Sequence, residues 1–185
     1  MCPDCVLSLR EVAVLDAHEP LRSGEIDVLA HWLVVGSPGF TIGPRITRRP
    51  RALAVAAGHP LARERSVSVE ALADHLVPNW AVGGLDDRLR QAILPVRTPS
   101  GRVLRTHPEP VRTVAEAASL IARGKVVHPT VQMRHFGNDQ VVLVPIHDLP
   151  PIPLGLVWRT SQENARIRAL ARVARDLTSG RLSPR

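Results

Sequence analysis

Short apolar runs rich in β-branched residues alternate with helical patterns along this whole chain. That alternation bounds the fold more tightly than any single motif, because each strand face and helix stripe must find a covering layer. VLSLREVAV (6–14) reads as a strand, and AHEPLRSG (17–24) as a short helix with Pro20 in its first turn and Gly24 as its stop. EIDVLAHWLVV (25–35) is apolar on both faces, which predicts a strand buried in a parallel sheet. TIGPRITRRPRALAVAAG (41–58) predicts an extended stretch ending in the strand ALAVAA, and Ser68 predicts the cap of a helix starting at Val69. Further strands are expected at HLVPNW (75–80), RVLRTH (102–107), KVVHPT (125–130), QVVLVPI (140–146) and LGLVWR (154–159). A glycine loop followed by a helix is expected over 81–94, and helices at PEPVRTVAEAASLIARG (108–124) and at TSQENARIRALARVARDL (160–177), where Thr160 and Glu163 fit a capping box. The fold class is therefore α/β with a mostly parallel sheet.

The chain of 185 residues is long enough for one domain or two small lobes with a sizeable interior. Its formal charge is +7, from 24 basic and 17 acidic residues, and every basic residue except Lys125 is arginine. The arginines are scattered; the densest run, Arg45 to Arg51, holds four in seven residues, so arginine standing in for lysine explains the excess better than a nucleic-acid footprint. Aromatics at 3%, with no Tyr, argue against a stacking platform for single strands. No basic start leads into an apolar run, and no apolar run nears the ~18 residues of a membrane helix, so a cytoplasmic protein with no membrane partner is expected.

Cys2 and Cys5 are spaced C-x-x-C, as in redox dithiols and half zinc sites. A zinc site needs four ligands, there is no third Cys, and only His18 is near in sequence. The residues after Cys5 alternate like a strand instead of opening a helix, so no metal and no cofactor are expected. The eight histidines are dispersed, and G-x-S-x-G, H-E-x-x-H and phosphate-loop patterns are all missing, so no catalytic residues are assigned and an enzyme is not expected.

Four segments taken in order, LRSGEIDVLA (21–30), AVAAGHPLARERSVSVEALADH (54–75), VAEAASLIARGKVVHPT (114–130) and LGLVWRTSQENARIRAL (154–170), resemble the effector-binding domain of LysR-type transcriptional regulators. PDCVLSLREV resembles the family's strand after an aromatic–proline pair, with Cys2 in the aromatic's place. The resemblance implies a type 2 periplasmic-binding-protein-like fold, with two α/β lobes joined by two crossover strands and a small-molecule cleft between them. Crossings near Ala57–Pro60 and Leu149–Pro153 would make lobe one 1–57 plus 152–185 and lobe two 58–151. The family's winged helix-turn-helix is not in this chain, and neither are the first strand and helix of lobe one. The chain therefore reads as N-terminally truncated, with lobe one expected to fold less well than lobe two.

In open α/β sheets ligands sit beyond the carboxyl ends of strands. That rule selects His31 and Trp32, Asn79 and Trp80, His107 and Glu109, and His128 and Thr130 as candidate effector contacts. Core packing is the competing role for the two tryptophans, and simple satisfaction for His31 and His128. His59 in GHPLA is read as structural. The implied function is small-molecule sensing and dimer or tetramer formation, with DNA reached only through the missing winged helix-turn-helix. The charge favours an anionic effector. The alternatives are a solute-binding protein, a non-functional fragment, or an enzyme on the same fold.

Overall fold

The computed structural model describes residues 6–12, 18–32, 38–80, 95–132 and 139–180. Two compact units divide the chain: Met1–Arg48 with Pro153–Arg185, and Arg49–Ile152. No described helix is long and apolar enough to cross a membrane.

The first unit is a three-stranded sheet in the order β1 (Leu29–Trp32), β8 (Ile152–Arg159), β2 (Phe40–Arg49). β1 runs antiparallel to β8, with Leu29 opposite Val157 and His31 opposite Gly155. Side chains alternate across a strand, so Leu29 and His31 share one face and Ala30 and Trp32 the other. The Leu29 face packs on helix α1 (Glu19–Ser23): Leu21, Leu29 and Val157 form one core, flanked by Val12, Ile26 and Phe40. Pro20 opens α1 and Gly24, at φ 81°, closes it in the left-handed region, as its sequence predicts. On the opposite face Leu156 and Trp158 pack on helix α3 (Ala165–Thr178) through Ile167 and Ala171. Gly43 on β2 seats the indole of Trp158: a Cβ there would stand 2.2 Å from the ring.

The second unit contains β3 (Arg51–Ala56), flanked by β6 (His128–Val131) and β7 (Val141–Pro145), both antiparallel to it. β4 (Leu76–Trp80) pairs in parallel with β5 (Arg105–Val111). Leu53, Val55, Val69, Leu72, Val77, Val127 and Val144 lie at the centre of its apolar core. Burying each such side chain contributes about 1.5–3 kcal/mol. Helix α2 (Val114–Ala122) follows β5, and its buried residues are Ala117, Leu120 and Ile121.

Several expectations need correction. The β1–β8, β3–β6 and β3–β7 pairings are antiparallel and β4–β5 is parallel, because an unbroken apolar run such as ALAVAA reports burial on both faces and not strand direction. β1 is half-buried in alternation, not buried throughout. Residues 6–12 form no strand; Val6 and Leu9 are exposed, since alternation supplies strand-prone side chains but not the neighbouring edge that would pair with them. Pro108 and Pro110 belong to β5 and not to a helix. The β4–β5 register shifts between Val77 and Asn79, the kind of irregular site where missing N–H donors are tolerated. Helix α2 begins only after Thr113, whose Oγ1 accepts from Glu116 N at 3.1 Å. Val69–Asp74 is a 3-10 helix capped by Ser68, and Thr160–Gln162 is a separate 3-10 turn. Asn164, not Thr160, caps α3; its side chain accepts from Arg166 N and Ile167 N, while Glu163 accepts from Trp158 Nε1 at 3.1 Å. The glycine loop and helix expected over 81–94 lie outside the described residues.

Candidate ligand-binding sites

In the second unit, the ladder between β3 and β6 sets Ala54 opposite His128 and Ala52 opposite Thr130. Two alanines beside them leave room for an imidazole and a hydroxyl inside the fold. His128 and Thr130 are both buried, and Trp80 joins them from the end of β4, its ring 5.6 Å from that of His128 at 55°. Arg51 opens β3 and is only 6% exposed. Burial, and secondarily the nearby Arg51 charge, lower the His128 pKa to about 4. His128 is therefore a neutral ring at physiological pH, whereas the Arg51 guanidinium keeps its charge although burial lowers its pKa. An indole wall, a neutral imidazole, a hydroxyl and a fixed cation suit a small planar or polar molecule bearing negative charge.

Asn79 is half-buried beside Trp80 on β4. His107 and Glu109 form a local turn on β5: Glu109 N donates to His107 Nδ1 at 3.2 Å, and Glu109 is exposed. In the first unit, His31 is buried and Trp32 half-buried. The His31 ring stands 5.0 Å from His18, which in turn stands 5.8 Å from Phe40. Burial first, then the neighbouring His18 charge, lower His31 to about 4 against the opposing pull of the Trp32 carbonyl. The eight candidates thus fall into separate groups, of which Trp80, His128 and Thr130 are one buried cluster. His59, expected to be structural, caps the 3-10 helix Pro60–Arg63 by accepting from Leu61 N at 3.2 Å.

Arg51 and Phe40 were not selected by the strand-end rule. Arg51 sits at the start of its strand, and the one signal for it was an arginine abutting the apolar run ALAVAA. Among the described residues no group of three or more metal-ligating side chains occurs.

A family model described as the LysR substrate binding domain matches residues 1–179. The structure of the BenM effector binding domain with its effector benzoate is similar at TM-score 0.70 and 20% identity, over 98% of this chain and 83% of that one. The QuiR effector binding domain in complex with shikimate gives TM-score 0.71 at 13% identity, over 93% and 81%. Full-length CbnR complexed with its target DNA gives 0.66 at 17% identity, over 91% and 60%. At these identities the likeness to solved structures is one of fold. A search of curated proteins returns no match.

Proposed function

Because this chain belongs to the LysR substrate-binding domain family, we propose that it senses a small-molecule effector and passes the bound state to DNA through a connected winged helix-turn-helix. The match of the family model to residues 1–179 carries this reading. Regulation requires the effector to bind two arrangements of the protein with different affinity, which biases the population between them. The protein acts by binding and not by catalysis, in the cytoplasm, as a homodimer or tetramer.

The effector is a small organic anion. Three features support that: the +7 charge of the chain, the buried Arg51 guanidinium, and the carboxylic acids benzoate and shikimate held by the similar BenM and QuiR domains. Trp80, His128 and Thr130 are the second unit's contacts to it, with Asn79 at their margin. His31 and Trp32 are candidates in the first unit; His107 and Glu109 are peripheral.

A panel of small aromatic and alicyclic carboxylates tests this by calorimetry on the purified protein. One or more acids should bind at one equivalent, and Trp80→Ala should weaken that binding at least tenfold while His107→Ala leaves it within about twofold, since a stacked ring contributes about 0.5–1.5 kcal/mol beyond its buried area, and the lost area adds to that. Saturable binding that Trp80→Ala and Thr130→Val leave untouched would remove the cluster from the effector site. Failure of the whole panel would count against an organic anion as effector.

A further inference from the structure

The first unit holds His18 and His31, of which His31 is also a candidate effector contact. His31 is 6% exposed on the face of β1 that packs on α1, and His18 is the residue that precedes α1. His31 Nδ1 lies 3.3 Å from the Trp32 carbonyl oxygen. A carbonyl can only accept, so Nδ1 carries the proton and Nε2 presents a bare lone pair. That Nε2 is shut off from solvent and has no hydrogen-bond partner among the described residues. Leaving an acceptor buried in this way costs free energy, so the lone pair points to an occupant.

The arrangement is that of a metal-binding imidazole. Such rings ordinarily donate one N–H to a backbone carbonyl or carboxylate, which fixes the tautomer and aims the other nitrogen at the ion. The second ring is at a matching distance. With Zn–N bonds of about 2.0–2.1 Å, two imidazoles on one tetrahedral ion have centroids about 5 Å apart. The centroids of His18 and His31 are 5.0 Å apart. The other close histidine pair, His59 and His75, with centroids 4.8 Å apart, is a natural contrast. His59 Nδ1 accepts from Leu61 N, so its proton sits on Nε2 and neither nitrogen is available to an ion.

We propose that His18 and His31 bind one borderline divalent transition-metal ion, with His31 ligating through Nε2 and water completing the shell. Imidazole pairs favour Cu²⁺ and Zn²⁺ over Mg²⁺ or Ca²⁺, which take oxygen ligands. This assignment gives His31 to the ion in place of the effector and leaves the second unit's cluster of Trp80, His128 and Thr130 as it stands.

Calorimetry of the metal-free protein with Zn²⁺ and Cu²⁺ tests it, together with paramagnetic resonance of the Cu²⁺ form. One ion per chain should bind, with hyperfine coupling to imidazole nitrogens. His31→Gln and His18→Gln should each weaken it tenfold or more, whereas His59→Gln should not. His18 is the more accessible of the two, so its variant keeps the test valid if His31→Gln misfolds; circular dichroism reports on folding. Binding retained in both variants, or abolished by Cys2→Ser with Cys5→Ser while both variants still bind, would overturn the proposal. So would no binding at all.

Discussion

Burial of His128 makes the second unit's stability depend on pH. The unfolded chain takes up this proton near 6.5 and the folded unit only near about 4. Between those values unfolding binds a proton, so stability rises with pH, is full above about 6.5, and falls as pH drops towards 4. The limiting slope is about 1.4 kcal/mol per pH unit, and the whole difference of some two and a half units amounts to about 3 kcal/mol. His59 adds in the same direction, since burial and then His75 lower its pKa too. The depressed carboxylates Glu70, Asp74 and Asp148 lose their contribution as pH falls through the ordinary carboxylate range and below it. Amide exchange read by mass spectrometry between pH 4.5 and 7.5, corrected for intrinsic rates, isolates the effect in peptides from β3 and β6. Wild type should lose protection steeply below pH 6.5, and His128→Asn should flatten the slope by about one proton whatever its absolute stability. An unchanged slope in the variant would refute the assignment of a buried, neutral His128.

Three further outcomes are expected. Gly43→Ala forces a methyl into the Trp158 ring; overpacking of this kind costs about 1–3 kcal/mol, visible as a lowered melting temperature and altered tryptophan fluorescence. Asn164→Ala removes the cap bonds to Arg166 N and Ile167 N and should cost about 1 kcal/mol, checked by urea denaturation, with Asn164→Ser recovering most of it. Arg102→Ala, which breaks an exposed, solvent-screened ion pair with Asp74, should leave the urea midpoint nearly unchanged; a clear downward shift in the same titration would mean the pair holds the 95–104 segment.

The elements most legible in the sequence were those with local chemistry. Pro20 and Gly24 bound α1, and Ser68 marks its helix start, because caps and stops act within four residues. Strand direction was not legible, because apolar runs such as 52–57 carry no record of which neighbour they pair with. Thr160 and Glu163 have capping-box spacing, but Glu163 is drawn to the Trp158 indole, a partner five residues away, and Asn164 takes over the cap. Trp80, His128 and Thr130 were selected as residues beyond strand ends, but all three lie within strands, Trp80 at the end of β4 and His128 at the start of β6. Arg51 was passed over because the strand-end rule looks only past the carboxyl ends of the expected strands, and the His18–His31 pair because their proximity depends on α1 packing on one face of β1.

The first unit is assembled from both ends of the chain, and this governs the order in which the protein forms. Leu29 meets Val157 only across the whole intervening second unit. The second unit is continuous in sequence, and its own ends meet where Ile146 N donates to Arg51 O at 3.0 Å. During synthesis it can fold as soon as β7 has emerged, while β1 must wait for β8. Once folded, it brings the segments before Arg51 and after Ile146 together, which shortens the loop that pairing β1 with β8 has to close. Pulsed exchange during refolding would contradict this order if β1 amides became protected before those of β3. The inserted unit therefore acts as a template that completes the unit into which it is inserted.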